Sequence, residues 1–429
     1  MNRRDFMKIA GPGAIGLSIP GSIAASHTSI NREEILNRQS SQLGGFGPAR
    51  QREIYMAGLE GRLPQFPVNP NELEYAAANV LSDEAFAYVA GGAGGGSTML
   101  NNRTAFEQYH IVPRMLRNVG NRDLRVNILG QNLPAPIILA PIGVQSIVHQ
   151  EAESAVARAA SSLNIPLVCS TVSSDPMEQI ASTRGNARNW FQLYWPRNNA
   201  LATSLVQRAE RAGFGAIVIT LDTSMLAWRE KDIQLSYLPF LKGEGLVNYF
   251  NDPIFRALFG GNPAENMQEA IEYFLQIFSE PTLTWESLEQ IRRATNLPII
   301  LKGILHPDDA RLAIQHGASG IIVSNHGGRQ IDGAVGALTM LPEIVDATGP
   351  EYPVLYDSGI RRGADVFKAL ALGAKAVLLG RPYAYGLAVN GEQGVKDVLQ
   401  NLIADFDLTM GLTGCRAIED INSNFVRKV

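Results

Sequence analysis

A histidine and an arginine stand three residues apart in SNHGGRQ, Ser324 to Gln330, a glycine-rich turn that directly follows the apolar run GIIV. A neutral imidazole can take a proton near pH 7, and a guanidinium fork can hold a carboxylate through two parallel hydrogen bonds. His326 and Arg329 therefore suit proton abstraction from a small acid whose hydroxyl lies next to its carboxylate. The alternative for the heptapeptide alone is a capped turn with a surface arginine.

The elements that must position this pair repeat along the chain as a short β-branched run, a polar turn and an amphipathic helix. Strands are expected at 136–143 (PIILAPIG), 167–171 (LVCST), 190–195 (WFQLYW), 216–222 (AIVITLD), 298–304 (PIILKGI), 320–327 (GIIVSNHG), 353–359 (PVLYDSG) and 376–382 (AVLLGRP). Eight buried strands alternating with helices imply an α/β fold, a TIM (β/α)8 barrel. It would occupy residues 71–429, opening with an N-terminal helical stretch, while residues 26–70 read as a polar, loop-like extension. About 75 residues separate the fourth strand from the fifth. The gap holds an insertion, 233–284, whose aromatic segment YLPFLKGEGLVNYFNDPIFRALF reads as a lid, with a subunit contact or a membrane-docking patch as alternatives.

In such barrels the active site lies at the carboxyl ends of the strands. The polar residues there form one inventory: Gln192 and Tyr194 after strand three, Thr220 and Asp222 after strand four, Lys302 on strand five, Ser324 and His326 after strand six, and Asp357 after strand seven. DSGIRRG and GRP close the last two strands, where barrels commonly hold phosphate. Their glycines, Gly359 and Gly380 among them, let backbone N–H groups approach an anion that Arg361 and Arg381 would neutralise. Surface salt bridges are the alternative for both arginines. Lys302 would lie mid-barrel, where an unpaired ammonium is costly, so it needs a negatively charged partner. A reduced flavin supplies such charge, and a Schiff base with a carbonyl substrate is the competing explanation.

Composition excludes several other classes. A net charge of −4 leaves no basic surplus for nucleic acid, and Cys169 and Cys415 are too few for a disulfide framework or a four-thiolate metal site, so no metal is expected. The amino terminus differs from the rest. NRRDFMK precedes a weakly apolar run that ends in small residues at Ala24 and Ala25, the layout of a twin-arginine signal over residues 1–25 and hence of export, for example to a periplasm. Pro12 and Pro20 break that run, which is too short to span a bilayer.

These features together resemble the FMN-dependent 2-hydroxy acid oxidase and dehydrogenase family from about Glu72 to the carboxyl end. The motifs are AYVAGGA (87–93), LAPIG (139–143), FQLYW (191–195), TLDTSMLAWREKD (220–232), LKGI (301–304), SNHGGRQ (324–330), DSGIRRGADVFKALALGA (357–374) and GRP (380–382). Within the family, AYVAGGAGG, HIVPRML, KGILHPDDAR and the long insertion after WREKD most resemble the lactate 2-monooxygenase branch.

The resemblance implies FMN as cofactor, His326 as base and Asp222 as its orienting partner. It implies Arg229, Arg329 and Tyr88 on the substrate carboxylate, Tyr194 on the hydroxyl or the charge developing at C2, and Lys302 on reduced FMN. Pro141, Ile142, Gly143, Ser170, Gln192, Thr220, Ser324 and Asp357 would contact the flavin or its ribityl chain, with Gly359, Arg361, Gly380 and Arg381 towards the phosphate. Gly143, where many family oxidases carry alanine, would leave room beside the ring for oxygen to react while the keto acid is still bound; the alternative is that it only satisfies a tight turn. The implied partners are a small lactate-like L-2-hydroxy acid and oxygen, with decarboxylation of the bound keto acid, in a homotetramer. The alternative is an oxidase, or a quinone- or cytochrome-linked dehydrogenase in peripheral contact with a membrane, that releases the keto acid. Leu226 and Trp228 would shape the substrate pocket.

Overall fold

The computed structural model describes residues 44–429 apart from Gln65 and Arg184, so the signal expected at 1–25 and the extension up to residue 43 lie outside the described residues. All eight expected strands are present: β1 (Ile137–Leu139), β2 (Val168–Ser170), β3 (Trp190–Leu193), β4 (Ile217–Thr220), β5 (Ile299–Ile304), β6 (Gly320–Val323), β7 (Val354–Tyr356) and β8 (Ala376–Leu379). Each is shorter than its apolar run, so most of the polar residues read as strand ends project from the turns beyond. The strands pair in parallel from β2 round to β8, β8 pairs with β1, and a bridge between Leu139 and Leu167 closes the ring.

The strands are β-branched and buried on both faces, as a parallel sheet covered by helices requires. Alternate residues divide the core in two. Ile138, Trp190, Val218, Ile300, Ile322 and Leu355 fill the barrel interior, and Ile128 and Leu133 of the hairpin formed by Val126–Ile128 and Gln131–Leu133 pack with them. Ile137, Phe191, Ile217, Leu301 and Ile321 face outward to the larger core under the helices. With its interior filled by side chains, the barrel leaves chemistry to its rim.

Among the described residues four helices precede the barrel: α1 (Phe46–Leu59), α2 (Pro70–Val80), α3 (Asp83–Ala90) and α4 (Ser97–Glu107). The first corrects the reading of 26–70 as loop. A sequence with Gly44, Gly45 and Pro48 at its start looks irregular, yet Gly47 docks so closely that a Cβ there would lie 2.7 Å from the Ala404 carbonyl oxygen. Its N–H donates to buried Asp407 at 2.7 Å. Tertiary docking decides this helix, as is usual where local propensity is weak.

Between the strands lie α5 (Ala152–Ser162), α6 (Met177–Ser182) and α7 (Asn199–Ala212), then α8 (Glu230–Gln234), α9 (Val247–Phe250), α10 (Pro253–Phe259), α11 (Met267–Ile277) and α12 (Leu288–Ala294) between β4 and β5. The remaining helices are α13 (Pro307–Gln315), α14 (Ala337–Thr348), α15 (Gly363–Ala371) and α16 (Arg381–Thr413), the last kinked at Asn390 and Gly391. The insertion turns most of its aromatics inward: Phe240, Tyr249, Phe255, Phe274 and Phe278 are buried, and Tyr249 meets Phe274 edge-on at 4.8 Å. Asn248, fully buried, donates to Thr171 O at 3.0 Å and Ser173 Oγ at 2.9 Å, while Asp252 pairs with Arg208 at 3.0 Å. Exposed apolar side chains are Met225, Leu226 and Trp228 just before the insertion and the aliphatic Ile233, Leu235, Leu241, Leu258 and Met267 within it. Among the described residues no helix is long and apolar enough to cross a membrane.

Candidate active site

One cleft at the carboxyl-terminal rim gathers residues from the turns after β1, β2, β3, β4, β6, β7 and β8, from β5, and from α3 and the insertion. At its centre His326 Nδ1 lies 2.7 Å from Asp222 Oδ1, and its Nε2 lies 3.5 Å from the Tyr194 hydroxyl. A carboxylate only accepts, so the ring proton belongs on Nδ1 and Nε2 is free to act as a base. Burial pushes the imidazole below its ordinary pKa, with help from the Lys302 and Arg229 charges, against the opposing pull of Asp222. For Asp222, burial alone would raise the pKa, but the His326 and Lys302 charges outweigh it and hold the carboxyl at about 2. The pair is therefore a neutral imidazole against a carboxylate at neutral pH, the state a base needs.

Lys302 is almost fully buried. Its ammonium donates to Ser324 Oγ at 3.0 Å and lies 3.4 Å from Asp357 and 3.8 Å from Asp222. Protein carboxylates thus already meet the need for negative charge that the sequence raised. Burial works against the charged form, but Asp357 and Asp222 prevail and raise the pKa. A Schiff-base lysine must lose its proton, so this environment removes that alternative.

Four arginines converge on the cleft. Arg229 and Arg329 lie on the Tyr88 ring, 5.8 and 5.1 Å from its centre, and Arg329 otherwise donates to the carbonyls of Tyr88 and Gly91. Arg381 donates to Val89, Gly91 and Gly327 carbonyls, and Arg361 to that of Ile360. Among the described residues Arg229 alone of the four has a carboxylate within 4.0 Å, Asp232 at 3.9 Å. Burial, reinforced by neighbouring guanidiniums, lowers Arg329 to about 9 and Arg361 to about 10. Buried cations that repel one another and meet mainly carbonyls mark places for anions. Arg229 and Arg329 share the Tyr88 ring, Arg381 follows Gly380 at the start of α16, and Arg329 and Arg381 both donate to the Gly91 carbonyl, so the guanidiniums form a connected row that could serve more than one anionic group.

There are also donors without partners. Ser170 Oγ donates to Gln192 Oε1 at 3.1 Å, which fixes the amide and leaves buried Gln192 Nε2 unpaired; Thr220 Oγ1 is also buried without a partner. Native interiors rarely leave such atoms unsatisfied unless a ligand or water meets them.

Residues 77–428 match the FMN-dependent dehydrogenase family. An L-lactate oxidase of Lysinibacillus sphaericus is 47% identical over 371 residues, covering 86% of this chain and 95% of that protein. The 2-hydroxyacid oxidase 1 of Homo sapiens is 38% identical over 83% of this chain and 96% of its own length. A structure of mandelate oxidase superposes with a TM-score of 0.73 at 40% identity, over 84% of this chain and 98% of that one. The chain belongs to the FMN-dependent dehydrogenase family.

It is an FMN-dependent 2-hydroxy acid oxidoreductase. The cleft fits FMN: Arg361 and Arg381 line it and would serve a phosphate, Lys302 lines it and would meet a polar ring edge, and the unpaired Gln192 and Thr220 groups are buried donors that such a ring could satisfy. Tyr88, Pro141, Ile142, Gly143, Tyr194, Arg229, Lys302, His326, Arg329, Asp357, Gly359, Arg361, Gly380 and Arg381 line the cleft itself. Asp222, Ser170, Gln192, Thr220 and Ser324 stand behind this wall, where Asp222, Ser170 and Ser324 support His326, Gln192 and Lys302.

Leu226 lines the cleft as expected, but Trp228 does not and is 70% exposed. For Gly143 the geometry bears on the alternative of a tight turn. A Cβ there would lie 2.5 Å from the Val172 carbonyl oxygen, so glycine is demanded by the close approach of the β1 and β2 turns. Sequence reasoning missed Val172, Leu238, Phe240, Phe278 and Ser358. Ser358 was within reach, inside the DSG motif; Leu238 and Phe240 lie in the aromatic segment read as a lid, but nothing in the irregular insertion singles out these residues or Phe278.

Proposed function

We propose that this enzyme oxidises L-lactate or a 2-hydroxy acid of that size with oxygen, and holds the keto acid long enough to decarboxylate it to the shorter acid, carbon dioxide and water. In this reading Arg229 and Arg329, braced on Tyr88, bind the carboxylate, and His326 Nε2 takes the hydroxyl proton. Asp222 holds the resulting imidazolium, and the Tyr194 hydroxyl, its pKa pushed up to about 12 by burial, stays protonated to donate to the substrate oxygen. Bound FMN supplies the two-electron acceptor. Arg361 and Arg381 hold its phosphate, Gln192, Thr220 and Lys302 its polar ring edge.

The observation that carries the substrate size is the wall made by Leu238, Phe240 and Phe278. Both phenylalanines are nearly inaccessible and their rings meet at 5.3 Å, so they close the cleft beside Tyr194 against a bulky side chain and favour retention of a small product. A second reading, release of keto acid with peroxide, is favoured by similarity to proteins named L-lactate oxidase and 2-hydroxyacid oxidase 1, and Gly143, with a packing need of its own, does not decide between the two. Product analysis by NMR after aerobic turnover with L-lactate separates them. Acetate and carbon dioxide in step with oxygen uptake are expected; pyruvate with stoichiometric peroxide would establish the second reading. No reaction with oxygen but rapid turnover with a quinone analogue would make it a dehydrogenase.

The same proposal includes export through the twin-arginine segment and assembly as a homotetramer. Replacing Arg3 and Arg4 by lysine should retain the enzyme inside the cell, as fractionation would read, and light scattering would give the assembly.

A further inference from the structure

Helix α4 belongs to no barrel repeat, yet its side chains reach both turns that carry the site. Its first turn grips the stretch after the base. Asp332 accepts from the backbone N–H groups of Gly95 at 2.9 Å and Ser97 at 2.8 Å, and from Ser97 Oγ at 2.6 Å. Thr98 Oγ1 donates to Ile331 O at 2.7 Å and accepts from Ala334 N at 2.9 Å. One turn on, Asn102 and Asn325 face each other as paired amides. Asn102 Nδ2 donates to Asn325 Oδ1 at 2.8 Å, and Asn325 Nδ2 donates to Asn102 Oδ1 at 2.7 Å. The next residue, Arg103, reaches the phosphate-side turn: it donates to Gly359 O and pairs with Asp365, whose Oδ2 accepts from the backbone of Arg361 and Arg362 at 2.9 and 3.0 Å.

The amide pair matters because of the residue that follows Asn325. His326 has φ 58°, a left-handed backbone that a non-glycine residue keeps only where its surroundings over-determine it. Those surroundings are visible. His326 N donates to Ser324 Oγ, Asn325 N and Gly327 N both donate to Ser358 Oγ, and Gly328 N donates to Asn325 Oδ1. The Asn325 side chain is therefore one strut of the turn, and Asn102 satisfies both ends of its amide from outside the barrel. Asn102 is 2% exposed and does not line the cleft.

We propose that α4 is a positioning element for the reaction and that Asn102 is its positioning residue, locking Asn325 and through it the left-handed His326 that aims Nε2 into the cleft. The inference rests on His326 being the base, and its test keeps the two apart. Purified Asn102→Ala enzyme, loaded with FMN, is mixed anaerobically with L-lactate and the rate of flavin bleaching is read per bound FMN. A fall of about 10- to 100-fold is expected, the scale of a misplaced reacting group. Binding of pyruvate, read by the flavin absorbance shift, should change little, because Arg229 and Arg329 are held separately by Tyr88.

Asn102→Ser buries no charge and keeps one small hydroxyl in this 2%-exposed position, so its rate should lie between those of the wild type and the alanine variant even if the alanine variant folds poorly. A wild-type rate per bound FMN in both variants, with only stability or FMN content reduced, would overturn the proposal and leave Asn102 a packing residue. His326→Gln is measured beside them: normal reduction there would remove the base assignment itself rather than the role of α4.

Discussion

The two ends of the cleft are finished to different degrees. Around the base itself His326 has Asp222, and Lys302 has Asp357 and Ser324, at short range, while Arg229 and Arg329 beside them rest on the Tyr88 ring and on carbonyls. Arg361 and Arg381, where a phosphate would sit, donate to backbone carbonyls and, from Arg381, to the Met99 sulfur, with no side-chain oxygen among their hydrogen-bond partners. The difference teaches where organisation comes from. A base must have its pKa, tautomer and direction set before the substrate arrives, so the chain supplies all three. An anion site is complete only with its anion, and self-repelling buried arginines are the form such a site takes without it.

If that contrast is correct, damage at the two ends will separate rate from cofactor grip. The largest effect belongs to His326→Gln, which should retain FMN yet lose substrate reduction by several powers of ten, beyond the ~10²–10⁴ usual for an acid–base group. Anaerobic stopped-flow reduction reads it, and a normal rate would strike the base from the mechanism. Asp222→Asn comes next, with a loss of about 10²–10⁴, because an amide that can donate to Nδ1 allows the ring proton to move to Nε2 and block the base.

The sign of the pH dependence follows from the same groups. The pKa of His326 is lowered, so in the wild type kcat/KM should stay level through neutral pH and fall only as acid protonates the ring below the ordinary histidine range. A profile already falling at pH 7 would show that burial does not dominate there. Arg361→Met should do the reverse of the base-end variants. FMN affinity, read by fluorescence titration of the apoenzyme, should drop about 10- to 150-fold for the loss of a charged hydrogen bond, while the rate of each FMN-loaded molecule is nearly kept.

The same contrast explains what the sequence made legible. The barrel and the base end were readable because each depends on residues next to one another in the chain: buried runs such as GIIV fix a strand, and the turn after it, SNHGG, fixes His326. The anion residues were readable as arginine and glycine in DSGIRRG and GRP. What was not readable comes from distant segments. Phe240 and Phe278 reach the cleft by way of an insertion without periodicity, Asn102 reaches the base turn across 223 residues, and α1 forms because Gly47 finds Asp407. Lys302 shows the limit differently: the sequence required a negative partner, and only the fold revealed that Asp357 and Asp222 supply it.

Gly143→Ala should give the smallest effect on rate and the sharpest reading of the floor between the two ends. The added methyl would lie 2.5 Å from the Val172 carbonyl oxygen and 2.6 Å from the Val172 side chain, so the β1 and β2 turns must part. Overpacking of this kind costs about 1–3 kcal/mol, which urea unfolding of the holoenzyme would detect. If Gly143 serves only that close approach, the ratio of short acid to keto acid should match the wild type while stability falls. If stability is unchanged and the product moves towards pyruvate and peroxide, the turns have yielded and the methyl has entered the space beside the ring. The glycine would then govern the fate of the product after all, and the distinction between a packed floor and a reactive one would vanish at this position.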